Sequence, residues 1–262
     1  MSVALRPEDY DHLTRRANDW TLEQAFVTLS KTRPFFCAAP TTTVEQALRF
    51  MGAGVHHLLV VEPETGAVSN LLSQTDMIRE LAKHVAAMGP AAQLTLSEAG
   101  LGQRAVLCVR NTDAALDAFC ELQAAGVSGG AIVNGEGKLV GNLSRHDLKG
   151  TQGGTGFGAL NQSIMHYQRK HRVALAQRLV TVHAGTTLAE VLATMARERV
   201  HRVFVVEGGM LPRGLVTQTD VCRVLAERLS GRPFSEKKAR KLMGKHTARH
   251  LTFPLLFPPK KE

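Results

Sequence analysis

A threefold repeat is the feature of this 262-residue sequence that most limits how it can fold. Three segments share one order: an apolar helix stripe, a hydrophobic strand, a second short strand, and a [Ser/Thr]-x-x-Asp motif that opens another helix. The motif aspartates are Asp76, Asp147 and Asp220, which recur at spacings of 71 and then 73 residues. Such a composite pattern at a nearly constant spacing predicts a true structural repeat.

Each helix stripe has apolar residues at i, i+3, i+4 and i+7, which places them on one helix face. The stripes are Val44, Ala47, Leu48 and Met51; Ala115, Ala118, Phe119 and Leu122; and Leu188, Val191, Leu192 and Met195. The first strands, residues 58–61, 131–133 and 203–206, are short apolar runs bounded by turn formers, as is typical of buried strands. A unit of helix, strand, strand and helix is too small to bury its sheet alone. We therefore expect the repeats to pair through their sheets, with a ligand cleft where two repeats meet.

The charge of the chain is concentrated at one end. Although the formal net charge is +9, residues 231–262 alone carry nine Lys or Arg against two Glu. The rest of the chain is close to neutral and only 5% of all residues are aromatic, so we expect no nucleic-acid partner. No apolar run approaches 18 residues, so we expect no membrane span. The basic tail could contact an acidic partner or a membrane surface, or simply be solvated.

The cysteine spacing and the lack of known catalytic motifs limit which reactions and metal sites can be expected. Cys37, Cys108, Cys120 and Cys222 are far apart with no C-x-x-C pair, which favours reduced thiols in an intracellular compartment and no metal site. Motifs of hydrolases, zinc proteases and kinases are missing, so the chain is predicted not to be an enzyme. We expect a cytoplasmic location, with a nuclear one left open.

Two stretches of the third repeat, residues 200–206 (VHRVFVV) and 214–220 (GLVTQTD), closely resemble a CBS (cystathionine β-synthase) domain. The resemblance covers roughly residues 34–228. It implies an α+β fold of tandem CBS domains, in which βαββα repeats pair into Bateman modules. The predicted organisation is an N-terminal helical lead-in at 1–33, repeat A at 34–90, repeat B at 100–150, a Gly-rich and basic linker at 151–174, repeat C at 175–230 and a basic tail at 231–262.

The order of the repeat variants is more specific. Residues 55–61, 127–131 and 200–202 resemble the second, third and fourth CBS repeats of the gamma subunits of AMP-activated, or sucrose-nonfermenting-type, protein kinases, with the first repeat lacking. That resemblance implies a regulatory subunit that senses AMP, ADP and ATP without any other cofactor. Its partners would be the catalytic alpha and the beta subunits of a heterotrimer. Three alternatives stay open: a stand-alone CBS protein that binds another adenosyl ligand such as S-adenosylmethionine, a ligand-free scaffold, and the regulatory piece of a larger enzyme or transporter.

The [Ser/Thr]-x-x-Asp motifs are candidates for ribose binding. A carboxylate can accept hydrogen bonds from two vicinal hydroxyls, and a neighbouring hydroxyl adds a donor and an acceptor. The same motif is also a capping box that needs no ligand. The resemblance matches ribose-binding aspartates at Asp147 and Asp220, whereas Asp76 could form a further site or only cap its helix. The predicted ribose residues are Ser73, Asp76, Ser144, Asp147, Thr217 and Asp220.

Phosphate and adenine contacts are also implied by the resemblance. His201 and Arg202 match a His-Arg pair that binds phosphate, and the guanidinium fork suits phosphate oxygens. His56 matches the histidine of that pair in repeat A, and Arg172 lies in the linker where gamma subunits carry another such pair. Polar residues that merely mark a helix end, or a solvated charge run, are the alternatives. The backbone of Thr181 and Val182 would hold adenine.

Repeat B departs from the other two. Residues 128–130 are Ser-Gly-Gly, which leaves no phosphate ligand there. The glycines that follow Asp147 should end its helix early, since each costs about 1 kcal/mol relative to alanine. We therefore expect one complete CBS pair that involves repeat C, and an unpartnered remnant.

Overall fold

One three-stranded sheet per repeat is the basis of the computed structural model, which describes residues 36–151, 157–170, 179–235 and 237. In each sheet a short first strand, a hydrophobic second strand and a third strand lie side by side in chain order. Helices follow the first and third strands in the described segments, so the predicted α+β class is confirmed. The predicted lead-in at 1–33, most of the basic tail and Arg172 lie outside the described residues.

Repeat A shows the complete unit. Its elements are β1 Cys37–Ala38, α1 Val44–Gly52, β2 His57–Val61, β3 Val68–Ser73 and α2 Gln74–Lys83, followed by a 3₁₀ segment at Val85–Gln93. Strand β2 is parallel to β1 and antiparallel to β3. Helix α1 begins at a capping box in which Thr43 and Gln46 satisfy each other's backbone N–H groups.

Repeat B has the same strand order but a different last helix. Its elements are β4 Cys108–Arg110, α3 Ala115–Ala124, β5 Gly129–Val133, β6 Leu139–Ser144, a 3₁₀ segment at Arg145–Thr151, α4 Phe157–Leu160 and α5 Ile164–Lys170. The short 3₁₀ segment stands where repeat A has the α-helix α2. The early stop predicted from the glycines stays a prediction, because residues 152–156 lie outside the described residues.

Repeat C is again a complete unit with a long last helix. Its elements are β7 Thr181–Val182, α6 Leu188–Glu198, β8 Arg202–Glu207, β9 Leu211–Thr217 and α7 Gln218–Ser230. Helix α7 ends at Gly231, whose φ of 63° is the left-handed conformation that glycine adopts without strain.

The predicted helix stripes form the buried faces of α1, α3 and α6, with one exception. Every stripe residue is buried except Val44, which is 53% exposed. Val44 is the first residue of α1, and nothing in the described structure covers it as Ala115 and Leu188 are covered at the starts of α3 and α6. Phe50, which is not part of the predicted stripe, is buried instead.

The described residues divide into two compact units, and repeat C contributes to both. The first unit comprises the described parts of Gly102–Ala184 and Phe204–Leu215. In it the sheets of repeats B and C share a core, which confirms the expected pairing through sheets. The buried residues of this core are Ala131, Val133, Leu139, Phe204 and Val206. The backbone N–H of Leu139 also donates to the carbonyl of Met210 across the two sheets, at 2.8 Å.

The second unit joins repeat A to repeat C through helices rather than sheets. Within it α1 packs against α7, and α2 packs against α6. Helices α1 and α7 approach so closely that a Cβ added to Gly52 would lie 2.7 Å from the Cα of Arg223. Repeat A is therefore not the unpartnered remnant expected from the sequence, although its partner contacts are made by helices. None of the described helices is long and apolar enough to cross a membrane.

Candidate functional site

The starts of α2 and α7 are the places where the sequence predicted ribose binding. Ser73 ends β3 and is the N-cap of α2, while Thr217 ends β9 and is the N-cap of α7. Both N-cap residues have extended backbone, with φ of −97° and −106°, so each strand passes directly into its helix. We refer to Ser73–Asp76 and Thr217–Asp220 as helix mouths A and C; both lie in the second unit.

Each mouth is a complete capping box. At mouth C, Asp220 Oδ2 accepts from the Thr217 backbone N–H at 2.9 Å and from the Thr217 hydroxyl at 2.6 Å. At mouth A, Asp76 Oδ2 accepts from the Ser73 N–H at 3.1 Å and from its hydroxyl at 2.6 Å. The capping alternative weighed from the sequence is thus confirmed at both positions. A cap uses one carboxylate oxygen, however, and so it does not exclude a ligand on the other.

The second carboxylate oxygen distinguishes the two mouths. Asp76 Oδ1 accepts from Arg79 Nη2 at 3.2 Å. Within the described part of the chain, Asp220 Oδ1 accepts no hydrogen bond. The arginine at the corresponding position, Arg223, instead donates Nε to the carbonyl of Gly52 at 3.3 Å and lies 5.7 Å from the ring centroid of Phe234. At mouth C, Asp220 is a partly exposed residue whose second carboxylate oxygen has no arginine on it.

Electrostatics at mouth A follow from the cap. The hydrogen bond from the Ser73 hydroxyl is the main reason that the pKa of the Asp76 carboxyl lies below its ordinary value. Partial burial opposes this, while the Ser73 N–H and the charges of Arg79 and His57 lower the pKa further. Asp76 is therefore ionised at neutral pH, as both capping and ribose binding require.

The predicted phosphate residues lie beside the mouths in both repeats. The N–H of Gln218 donates to the carbonyl of His201 at 3.1 Å, and the N–H of Gln74 donates to the carbonyl of His56 at 3.0 Å. His56 and His201 are exposed, and Arg202 is half-buried. The structure thus brings the predicted ribose and phosphate residues of repeat C together, and likewise those of repeat A.

A polar bridge between the two mouths was not predicted. Gln74 Nε2 donates to Thr219 Oγ1 at 3.0 Å, and Thr75 Oγ1 donates to Gln218 Oε1 at 3.2 Å. Each bond thus joins a glutamine of one mouth to a threonine of the other, with glutamine as the donor in the first bond and threonine in the second. Both glutamines are buried, at 4% and 3% exposure. The sequence did contain a signal, because a Gln-Thr dipeptide occupies the middle of both motifs whereas repeat B has Arg145-His146 there.

The third predicted ribose residue differs from the other two. Asp147 is only 3% exposed, and its Oδ2 accepts from the Ser144 N–H at 2.9 Å. The Tyr167 hydroxyl donates to the Asp147 backbone carbonyl at 2.8 Å. Burial, and then the Asp147 charge, raises the pKa of Tyr167 to about 12. The structure therefore covers this carboxylate, and ribose binding by Ser144 and Asp147 stays a prediction.

The remaining predicted residues lie elsewhere. Thr181 and Val182 form β7 and pair with Phe204 and Val205 of β8; adenine binding by their backbone stays a prediction. All four cysteines are free thiols. Among the residues that the structure describes, no group of three or more His, Cys, Asp or Glu side chains could hold a metal ion.

Comparison with protein families gives a match to the CBS domain at residues 19–83 and 174–227. These matches cover the described strands of repeats A and C, the helices α1, α2 and α6, and α7 as far as residue 227. Repeat B lies outside the matched residues, although its strands have the same order.

Curated relatives resemble most of this chain at low identity. The protein sds23 of Botryotinia fuckeliana is 26% identical over 194 residues, which are 69% of this chain and 40% of the relative. Protein MJ1404 of Methanocaldococcus jannaschii is also 26% identical over 194 residues, covering 73% of this chain and 41% of the relative. The chain thus spans only about two fifths of the length of these relatives.

Two solved structures share the fold. A conserved protein from Pyrococcus horikoshii has a TM-score of 0.58 at 19% identity and covers 74% of this chain and 80% of its own. Protein MJ1225 from Methanocaldococcus jannaschii, described as a candidate archaeal homologue of the AMPK gamma subunit, has a TM-score of 0.53 at 18% identity. It covers 72% of this chain and 66% of its own. At such identities these likenesses show the fold alone.

Proposed function

We propose that this chain, which folds as tandem CBS domains, is a non-catalytic regulatory protein that binds an adenine nucleotide at helix mouth C. The occupancy of this mouth would alter the activity of a partner protein. In its most specific form, the proposal is that the chain is a gamma-like subunit of an AMP-activated-type kinase heterotrimer.

The observation that carries the proposal is the divided role of Asp220. One carboxylate oxygen is used in the cap of α7, at 2.9 and 2.6 Å from the Thr217 donors. The other oxygen accepts nothing from the described residues, because Arg223 is held by Gly52 and lies against Phe234. A ribose diol could donate to that free oxygen, and a charged acceptor strengthens such bonds.

An arginine, a histidine and a helix N-terminus next to mouth C suit the phosphate end of a nucleotide. His201 adjoins the mouth through the backbone contact to Gln218, and Arg202 follows it at the start of β8. The N-terminus of α7, a helix of 13 residues, adds a partial positive charge at the same place. A ligand with a diol and an anionic tail therefore fits this surface better than an uncharged nucleoside would.

Regulation would arise from differential affinity. If AMP and ATP favour different arrangements of the modules and the partner, their ratio sets the equilibrium between those arrangements. The kinase-subunit form of the proposal is supported by the order of repeat variants in the sequence. The fold likeness to MJ1225, which carries a description of this kind, agrees with it.

A ligand-free scaffold is the second candidate, and one observation favours it. The carboxylates of both mouths already complete their capping boxes without any ligand, and Asp147 is almost fully covered. In that case the aspartates would serve only the helices. Binding of kinase subunits without any effect of nucleotide would then be the expected behaviour.

Calorimetric titration with AMP, ATP and S-adenosylmethionine separates these possibilities. We expect AMP or ATP to bind, and Asp220→Ala to lower the AMP affinity at least tenfold. Glu190→Ala is the matched control, because Glu190 caps α6 through the same pair of bonds from Thr187 and has no predicted ligand. Both variants lose a capping box, so a loss of affinity confined to Asp220→Ala places the effect at mouth C and not in a general loss of helix capping.

Three outcomes would count against the proposal. If no adenine nucleotide gives a heat of binding, the ligand-free scaffold is favoured. If S-adenosylmethionine alone binds, the stand-alone CBS protein is favoured. Equal affinity of the parent chain and Asp220→Ala removes Asp220 from the site. Pulldown of catalytic and beta kinase subunits tests the kinase form separately.

A further inference from the structure

The sheet of repeat A has an apolar face that the described chain covers only in part. In this sheet Leu59 lies opposite Leu71, and Val61 lies opposite Val68 beyond a register shift at Val60–Val61, so the four side chains share one face. Val61 is buried at 5% exposure and Leu59 is partly exposed, so the open part of the face lies on β3. Leu71 is 53% exposed and Val68 is 48% exposed. They are two of the most exposed large apolar side chains among the described residues, and both lie on strand β3.

The same face is covered in the other two repeats. Leu59 pairs with β1 at the position where Ala131 pairs with β4 and Phe204 pairs with β7. Val68 lies opposite Val61 as Leu139 lies opposite Val133. In repeats B and C these positions form the shared core of the two sheets. The chain therefore shows what covers a face of this kind, namely the equivalent face of another repeat.

This face carries no acidic or basic residue that would prevent two copies of it from packing together. The residues that line it are apolar, apart from His57 at one end, and the neighbours on β3, Ser69 and Asn70, are uncharged. Two copies of such a face can meet without like charges in contact. A two-fold contact of this kind is closed, because each copy uses the same surface. A dimer of this kind needs only this one open sheet face on each chain.

We propose that this face, lined by Leu59, Val61, Val68 and Leu71, is a homodimer interface, covered by the same face of a second copy of the chain. Exposed contiguous apolar surface of this kind marks interaction sites in soluble proteins. The pairing would repeat between two chains the sheet contact that repeats B and C make within one chain. It does not depend on the nucleotide proposed for helix mouth C.

Sedimentation velocity of the 262-residue chain over a range of concentrations tests this. We expect the parent to sediment as a dimer that dissociates on dilution, and Leu71→Glu to sediment as a monomer at every concentration. Leu116→Glu is the matched control, because Leu116 is a 44% exposed leucine on α3 in the first unit. It should dimerise like the parent.

Circular dichroism and nucleotide titration of each variant show that the fold and mouth C are intact. Should Leu71→Glu fail to fold, Val68→Ser changes the same face with a smaller side chain and should weaken the dimer at least tenfold. A parent that stays monomeric at its highest soluble concentration overturns the proposal, since the face must then be open or take a different protein. A Leu71→Glu variant that folds and still dimerises overturns it as well.

Discussion

Gln74 of helix α2 and Thr219 of helix α7 are 145 residues apart in the chain, yet the Gln74 side-chain amide donates to the Thr219 hydroxyl at 3.0 Å. The same amide nitrogen also donates to the carbonyl of Met51, at 2.9 Å. Gln74 is 4% exposed, so these bonds lie away from water. One side chain thus joins the start of α2 to the start of α7 and to the last turn of α1.

Replacing Gln74 by Leu should destabilise the fold. The variant leaves the buried Met51 carbonyl and the Thr219 hydroxyl without their donor, and an unsatisfied buried polar group costs about 1–3 kcal/mol. Urea unfolding followed by circular dichroism measures the free energy of unfolding. Gln123→Leu, at an exposed position on α3, is the control and should change it by less than about 0.5 kcal/mol. Equal effects of the two substitutions would show that the bridge adds no stability.

Gly52→Ala tests the close contact of α1 with α7. The added methyl group would lie 2.7 Å from the Arg223 Cα and 2.9 Å from its backbone nitrogen, so the helices must separate. Overpacking of this kind costs about 1–3 kcal/mol. Thermal unfolding should show a lower Tm for this variant. Gly158→Ala, in a helix where nothing lies within 4 Å of the new methyl, should leave Tm unchanged or raise it slightly.

The cap at mouth A should make stability depend on pH in the acid range. Because the folded-state pKa of Asp76 is below its unfolded value, its contribution is present above the unfolded pKa of about 3.9 and is lost as pH falls through the folded pKa. The free energy of unfolding of the parent should therefore exceed that of Asp76→Asn at pH 6. In strong acid the two free energies of unfolding should become equal. When Ser73→Ala removes the main cause of the low pKa, the stability that the Asp76 carboxylate contributes should be lost at a higher pH than in the parent.

A gap between parent and Asp76→Asn that stays constant down to strong acid would contradict the assigned role of the Ser73 hydroxyl. Carbon-detected NMR titration of the Asp76 carboxyl gives the same pKa directly. The comparison is made at low salt, since the Arg79 contribution lies at the surface and is screened.

Cys222 should be chemically inert in the folded chain. It is fully buried on α7, and burial, followed by the Asp220 charge, raises the pKa of its thiol to about 12. At pH 8 about one such thiol in ten thousand is ionised, and only the thiolate reacts with iodoacetamide. Mass spectrometry should therefore find Cys120, which is exposed, labelled long before Cys222. Labelling of Cys222 at the rate of Cys120 would mean that α7 opens readily.

The local parts of the fold could be predicted from the sequence because they depend on neighbours in the chain. The stripes of α3 and α6 are buried as their spacing predicted, and the Ser73 and Thr217 motifs begin helices. Repeat B, whose motif is followed by several glycines, has a 3₁₀ segment where repeats A and C have an α-helix. Each of these depends on residues within one or two helical turns.

The contacts between repeats could not be predicted in the same way. The pairing of Gln74 with Thr219 and the contact of Gly52 with Arg223 depend on how segments more than 140 residues apart meet. The different surroundings of Asp76 and Asp220 are also a tertiary effect, because Arg79 and Arg223 occupy the same place in their motifs but bind different groups. A motif therefore identifies a possible ligand residue without fixing which of its oxygens is available.

The two hydrogen bonds between the helix mouths make substitutions in repeat A and repeat C depend on each other. Without such a contact, each repeat could change at these positions independently. Here a change at Gln74 removes a partner from Thr219, and a change at Gln218 removes one from Thr75, so a tolerated substitution in one copy depends on the residue in the other. Descendants of this chain should therefore change these positions in compensating pairs, and the Gln-Thr dipeptide should persist in both repeats or be replaced in both.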